Sequence, residues 1–158
     1  AKSSTAPAPA TEASSGAATA GELRSVGNEA FKRKDYAEAL SCWGRAATLA
    51  QEAEDLELWA ACRANAAQAE LRRHNWAAAE SLAAEVLQRF PRHEKVLQRL
   101  PRHEKALFRR GAAREELGDL EGARQDFIGV VASNFMNCEA QDALNRVQER
   151  LRKMGGAA

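Results

Sequence analysis

Little in this sequence unbalances its charge, closes a covalent loop or interrupts a helix. Lysine and arginine number 23 against 22 acidic residues, a formal net charge of +1. That excludes the basic footprint of a nucleic-acid binder. The three cysteines, Cys42, Cys62 and Cys138, are far apart. An odd number without paired spacing argues against a disulfide framework. It fits reduced thiols that pack as small apolar groups in a cytoplasmic protein. No apolar run approaches the roughly 20 residues that a membrane helix needs, so no membrane contact is expected. There is no glycine-rich phosphate loop and no serine or cysteine in a nucleophile motif. The three histidines are His74, His93 and His103. His74 falls in a turn, and the other two sit beside prolines at an exposed junction with no cysteine near, which is a poor metal set. No cofactor, no metal and no catalytic site are expected.

The first twenty residues lack large apolar groups altogether, and eighteen of them are Ala, Ser, Thr, Pro or Gly. Such a stretch cannot bury enough surface to offset its ordering entropy. Residues 1–20 are therefore expected to form a disordered linker. They have no apolar run of the kind a signal peptide needs. The chain starts on Ala1 rather than Met, as expected of a processed form or of a fragment of a larger protein, in which the linker would be an inter-domain tether.

From Gly21 the composition turns to Ala, Leu, Glu, Arg and Gln, the helix formers, with few prolines, glycines or β-branched residues. Three stretches then share one plan: 21–49, 64–91 and 104–131. Each reads as a helix, a tight turn and a second helix. The turns are Lys34-Asp35-Tyr36, His74-Asn75-Trp76 and Gly118-Asp119-Leu120. Three residues after each turn's last member stands a small residue, Ala39, Ala79 or Ala123, where two helices can approach closely. Gly27, Ala67 and Gly111 match in the first helices, and Trp43 and Phe127 match in the second. Ala140, Leu144, Val147 and Leu151 then recur at helical spacing, so a single amphipathic helix is expected over about 135–154.

This order of small and large positions resembles the tetratricopeptide repeat, over residues 21–131. The resemblance implies an all-α, right-handed α-solenoid of three repeats, at about 21–54, 55–91 and 103–133. The last helix would cap the array, since the end of a repeat stack must be covered. The whole domain would span 21–154.

First helices of stacked repeats line a concave surface. Arg24, Asn28 and Lys32 are four apart and share one helix face, as do Lys105 and Arg109. Arg24, Asn28, Asn65, Lys105 and Arg109 look like the carboxylate clamp of chaperone-binding tetratricopeptide domains. That family places a basic residue and Asn on the first helix, Asn on the third, and Lys plus Arg on the fifth. Lysine is commoner where Arg24 stands here. The resemblance implies a co-chaperone adaptor that binds the C-terminal Glu-Glu-Val-Asp tail of the ninety- or seventy-kilodalton heat-shock chaperones. Phe31 and Leu71 would supply an apolar contact for the valine. A catalytic domain, such as a peptidyl-prolyl isomerase, would lie outside this chain. The alternative is a repeat scaffold that binds an internal peptide or a folded subunit and needs no free carboxylate.

Between the second and third repeats the chain repeats itself. VLQRFPRHEK at 86–95 is followed by VLQRLPRHEK at 96–105. Lys95 and Arg99 thus copy the spacing of Lys105 and Arg109. The second pair is favoured, because Arg110-Gly111 and the rest of the repeat follow it directly. The insertion is expected to form a loop on the convex side of a monomer, with exchange of the third repeat between two molecules as the alternative.

Overall fold

The computed structural model describes residues 17–90 and 101–155, with no side-chain placement for Pro101 and Arg102. Most of the N-terminal linker and the centre of the duplication, including His93, Lys95 and Arg99, fall outside them. The described residues form seven helices: α1 (Ala20–Lys32), α2 (Tyr36–Glu52), α3 (Leu56–Arg72), α4 (Trp76–Arg89), α5 (Pro101–Leu117), α6 (Leu120–Ser133) and α7 (Cys138–Gly155). Each helix packs on its neighbour in sequence; α1 also meets α3, α3 meets α5, and α5 meets α7. This is an α-solenoid in which the odd-numbered helices share one surface.

One turn chemistry joins most of these helices. Lys34, Glu54, His74 and Gly118 each have positive φ, at 66°, 58°, 60° and 88°. The next residue in each case is Asp35, Asp55, Asn75 or Asp119, which caps the following helix. Three of these caps accept a backbone hydrogen bond three residues on: Glu38 N to Asp35 Oδ1 at 3.1 Å, Leu58 N to Asp55 Oδ1 at 3.0 Å, and Gly122 N to Asp119 Oδ1 at 2.9 Å. A left-handed residue followed by an acceptor at the N-cap reverses the chain within three residues and satisfies an orphan N–H. The short turn in turn forces each pair of helices to lie antiparallel.

Small residues then set how close the helices come. A methyl group at Gly27 would lie 2.6 Å from the Trp43 indole nitrogen, and one at Gly111 would lie 2.9 Å from the Phe127 ring. In the second repeat both partners are small and fully buried, Ala67 and Ala83. Gly27→Ala is therefore expected to destabilise the domain by about 1–3 kcal/mol through overpacking, although alanine is intrinsically the better helix former by about 1 kcal/mol. Gly44, in mid-α2, has nothing within 4 Å of an added methyl, so Gly44→Ala should stabilise instead. Thermal unfolding of the two variants reads the contrast, and equal shifts of one sign would contradict this packing.

The seventh helix is held by apolar and polar contacts together. Ala140, Ala143, Leu144 and Val147 are buried, and Leu151 packs beside them. Arg146 donates to Glu115 through Nε and Nη2, both at 2.7 Å, and Arg150 adds a bond at 3.3 Å. The Arg146 hydrogen bond holds the Glu115 carboxyl below its ordinary value. Asn134 and Asn137 both donate to Glu104, at 3.1 and 2.8 Å.

Four sequence expectations change in this region. The last helix starts at Cys138 rather than near 135, because Asn134 and Asn137 form a polar turn whose Asn137 Oδ1 accepts from Ala140 N at 3.0 Å. The third repeat starts at Pro101 rather than 103, with proline at the first helical position, where its missing N–H is no loss. His103 is therefore buried on α5 instead of lying at an exposed junction. Cys138 is exposed, whereas Cys42 and Cys62 are buried as small core groups.

Candidate functional site

The shared surface of the odd-numbered helices holds two adjoining grooves. The first, about 350 Å³, is lined by Asn28, Phe31 and Lys32 of α1, Asn65 and Gln68 of α3, and Arg109 of α5, with Trp43 at its base. The second, about 640 Å³, shares Gln68 and Arg109 with it and continues past Arg72, Lys105 and Phe108 to α7.

Asn28 is oriented from beneath. The Trp43 indole N–H donates to Asn28 Oδ1 at 3.1 Å and lies 3.3 Å from the Arg24 carbonyl oxygen. An indole can only donate, so the Asn28 oxygen is committed to it and the amide NH₂ remains to serve as a donor. Asn65 Nδ2 also reaches Asn28 Oδ1, at 3.5 Å. Gly27, by admitting Trp43, thus positions a groove residue as well as a core one.

Arg109 is anchored in the wall between the grooves. Its Nε donates to Gln68 Oε1 at 3.1 Å, and Nη1 donates to the Ala64 carbonyl oxygen. No carboxylate pairs with it among the described residues, and burial pushes its pKa down to about 10. It remains charged at neutral pH, at a desolvation cost that an anionic ligand would relieve. Lys105, one turn earlier, is exposed and has no acidic partner among the described residues.

Most other cations of the described chain are matched internally. Arg110 and Arg114 hold Asp126, Arg63 lies near Glu85, Arg33 meets Glu38, and Arg152 meets Glu149. The groove cations Arg72, Lys105 and Arg109 are left without a carboxylate among the described residues; Arg109 shares the first groove with the neutral donors Asn28 and Asn65, and Arg72 and Lys105 line the second. Such a set can hold a carboxylate by charge-assisted hydrogen bonds, the strong kind, with the amides fixing its orientation. Among the described residues no cluster of three His, Cys, Asp or Glu could hold a metal. None of their helices is long and apolar enough to cross a membrane.

The residues singled out from sequence are not all placed alike. Asn28, Phe31, Lys32, Asn65 and Arg109 converge on the first groove, while Lys105 lines the second. Lys32 is tied to Glu29 at 2.8 Å on an exposed surface, a pairing of small energetic worth. Arg24 sits one turn before Asn28, partly buried, and its buried Nε has no hydrogen-bond partner among the described residues; it lines neither groove. Leu71 also lines neither. At about 100° per residue it points roughly 120° away from Asn65 around α3, while Arg72 returns to within about 20°. Gln68, Arg72 and Phe108 are the groove residues that sequence reading passed over. The helical phase of Asn65 points to Gln68 and Arg72, three and seven residues on.

No family model matches the chain. Solved structures do. The first TPR domain of Spaghetti (RPAP3), bound to the HSP90 peptide SRMEEVD, is 28% identical with a TM-score of 0.70; the match covers 85% of this chain and 94% of that one. The second TPR domain of human RPAP3, in complex with the HSP70 peptide SGPTIEEVD, is 26% identical with a TM-score of 0.63, covering 82% and 94%. The myosin chaperone UNC-45 from C. elegans, in complex with a Hsp90 peptide, is 30% identical with a TM-score of 0.72. That match covers 85% of this chain but 14% of the UNC-45 chain.

Proposed function

We propose that this chain, which is a tetratricopeptide-repeat domain, works as a co-chaperone adaptor that grips the free C-terminus of an acid-ended peptide, the Glu-Glu-Val-Asp tail of heat-shock chaperones. The observation that carries this reading is Arg109, left without a carboxylate among the described residues beside the donors Asn28 and Asn65, with Lys105 one turn earlier on the same helix. A tail ending in Asp brings two carboxylates, and the groove offers cations and neutral donors to meet both. Solved neighbours bound to the acid-ended peptides SRMEEVD and SGPTIEEVD, at 28% and 26% identity, support it. The role is binding without catalysis, and the buried thiols Cys42 and Cys62 suit a reducing, cytoplasmic setting.

Calorimetric titration with SRMEEVD as the free acid and as its C-terminal amide tests the reading. Removing one charged partner from a hydrogen-bonded pair costs about 1.5–3 kcal/mol, so amidation should weaken binding at least about tenfold. Free-acid affinity should also fall as salt rises to physiological strength, since the groove charges are partly exposed. Equal binding of acid and amide would instead indicate a scaffold for internal peptides.

A further inference from the structure

The second groove changes sign along its length. Near its junction with the first it presents Arg72, Lys105 and Arg109; at its far wall it presents Glu139 and Asp142 of α7. These two acids are three apart on one helix face, and both are exposed. Neither makes an ion pair among the described residues. The cation beside them, Arg146, is committed to Glu115, and Glu104 is committed to Asn134 and Asn137. The α7 end therefore offers two exposed carboxylates outside any ion pair to whatever occupies the groove, with Arg146 attracting Asp142 at longer range.

Distance says which part of a peptide arrives there. Packed helices lie about 8–10 Å apart, so α3 to α5 to α7 spans on the order of 20 Å. An extended chain advances roughly 3.3 Å per residue, so a tail whose terminal carboxylates reach Asn65 on α3 passes α7 about five or six residues upstream. In SRMEEVD an arginine stands five positions before the terminal Asp. In SGPTIEEVD a threonine holds that position.

We infer that Glu139 and Asp142 select among acid-ended tails, favouring one with a basic residue about five positions before its C-terminus. This rests on the carboxylate-gripping reading above and adds a second, opposite charge requirement at the other end of the groove. The shared acidic ending of the two tails cannot discriminate between them, whereas the sign change along the groove can.

The test is fluorescence anisotropy with three peptides: SRMEEVD, the same peptide with threonine in place of arginine, and SRMEEVD amide. Each is titrated against the whole chain and against a Glu139→Gln, Asp142→Asn double variant whose helicity is checked by circular dichroism. Replacing the peptide arginine should weaken binding to the parent chain about two- to fivefold, the range of an exposed ion pair, and should have no effect on the double variant. A Glu139→Lys, Asp142→Lys variant should reverse the preference. If arginine replacement leaves the parent affinity unchanged while amidation still lowers it, the selection by α7 is overturned and the carboxylate grip stands. If the amide binds as well as the acid, the underlying reading fails instead.

Discussion

Lys105→Ala should lower the affinity for an acid-ended tail by about ten- to a hundredfold while leaving the melting temperature of the free domain unchanged. Lys105 is exposed, lines the groove and supports nothing else among the described residues. Its removal therefore subtracts one charged donor, at about 1.5–3 kcal/mol, without disturbing packing. Arg109 behaves differently. It donates to Gln68 and to the Ala64 carbonyl, so it ties α5 to α3. Arg109→Glu should abolish tail binding and also lower stability, because a buried carboxylate would then face two acceptors. Titration and thermal unfolding of both variants separate the two effects. Full affinity in Lys105→Ala would remove Lys105 from the site.

Asp126→Ala should be the more damaging change to the fold. Asp126 is 3% exposed and accepts from Arg110 at 2.9 and 2.6 Å and from Arg114 at 3.2 Å. Truncation strands Arg110 without a partner, while Arg114 keeps Glu80 at 3.0 Å. Removing one member of a buried pair costs about 3–5 kcal/mol, and the partial exposure of both arginines favours the lower end. Against a typical stability of about 5–15 kcal/mol, that is a shift on the order of 10 °C in melting temperature. Asp126 is on α6, outside both grooves, so the folded fraction should bind the tail as before. A shift within a couple of degrees would mean that the two arginines are satisfied by water.

The parts of this structure that were legible in the sequence are those fixed by size and by turn chemistry. Gly27 opposite Trp43 and Gly111 opposite Phe127 announce close helix pairs, because a large ring can enter only where the facing residue has no side chain. Asp35 and Asp119 mark turns, because an acceptor is needed where the helix begins; Asn75 takes the same place without a side-chain cap bond. For Leu71 helical phase decides: an apolar residue near the groove invites an apolar role, yet Arg72 is the one in register with Asn65. The sequence places His103 at an exposed junction, because it stands two residues after a proline in a duplicated PRHEK run, and the start of α5 at Pro101 turns it inward. The ion pairs of Asp126 and Glu115 join residues on different helices with no fixed sequence interval, so nothing local declares them. The same holds for the acids of α7, which enter the groove only because α7 docks on α5.

The central claim is that Lys105 and its neighbours meet the carboxylates of a tail, and a double-mutant cycle addresses it most directly. SRMEEVD, its C-terminal amide and its terminal Asp→Asn form are titrated into the parent chain and into Lys105→Ala. If Lys105 meets one of those carboxylates, removing that carboxylate should weaken binding to the parent chain about tenfold or more and weaken binding to Lys105→Ala far less, a coupling of about 1 kcal/mol or larger. Additive losses for both carboxylates would show that Lys105 touches neither, and would contradict the site as assigned.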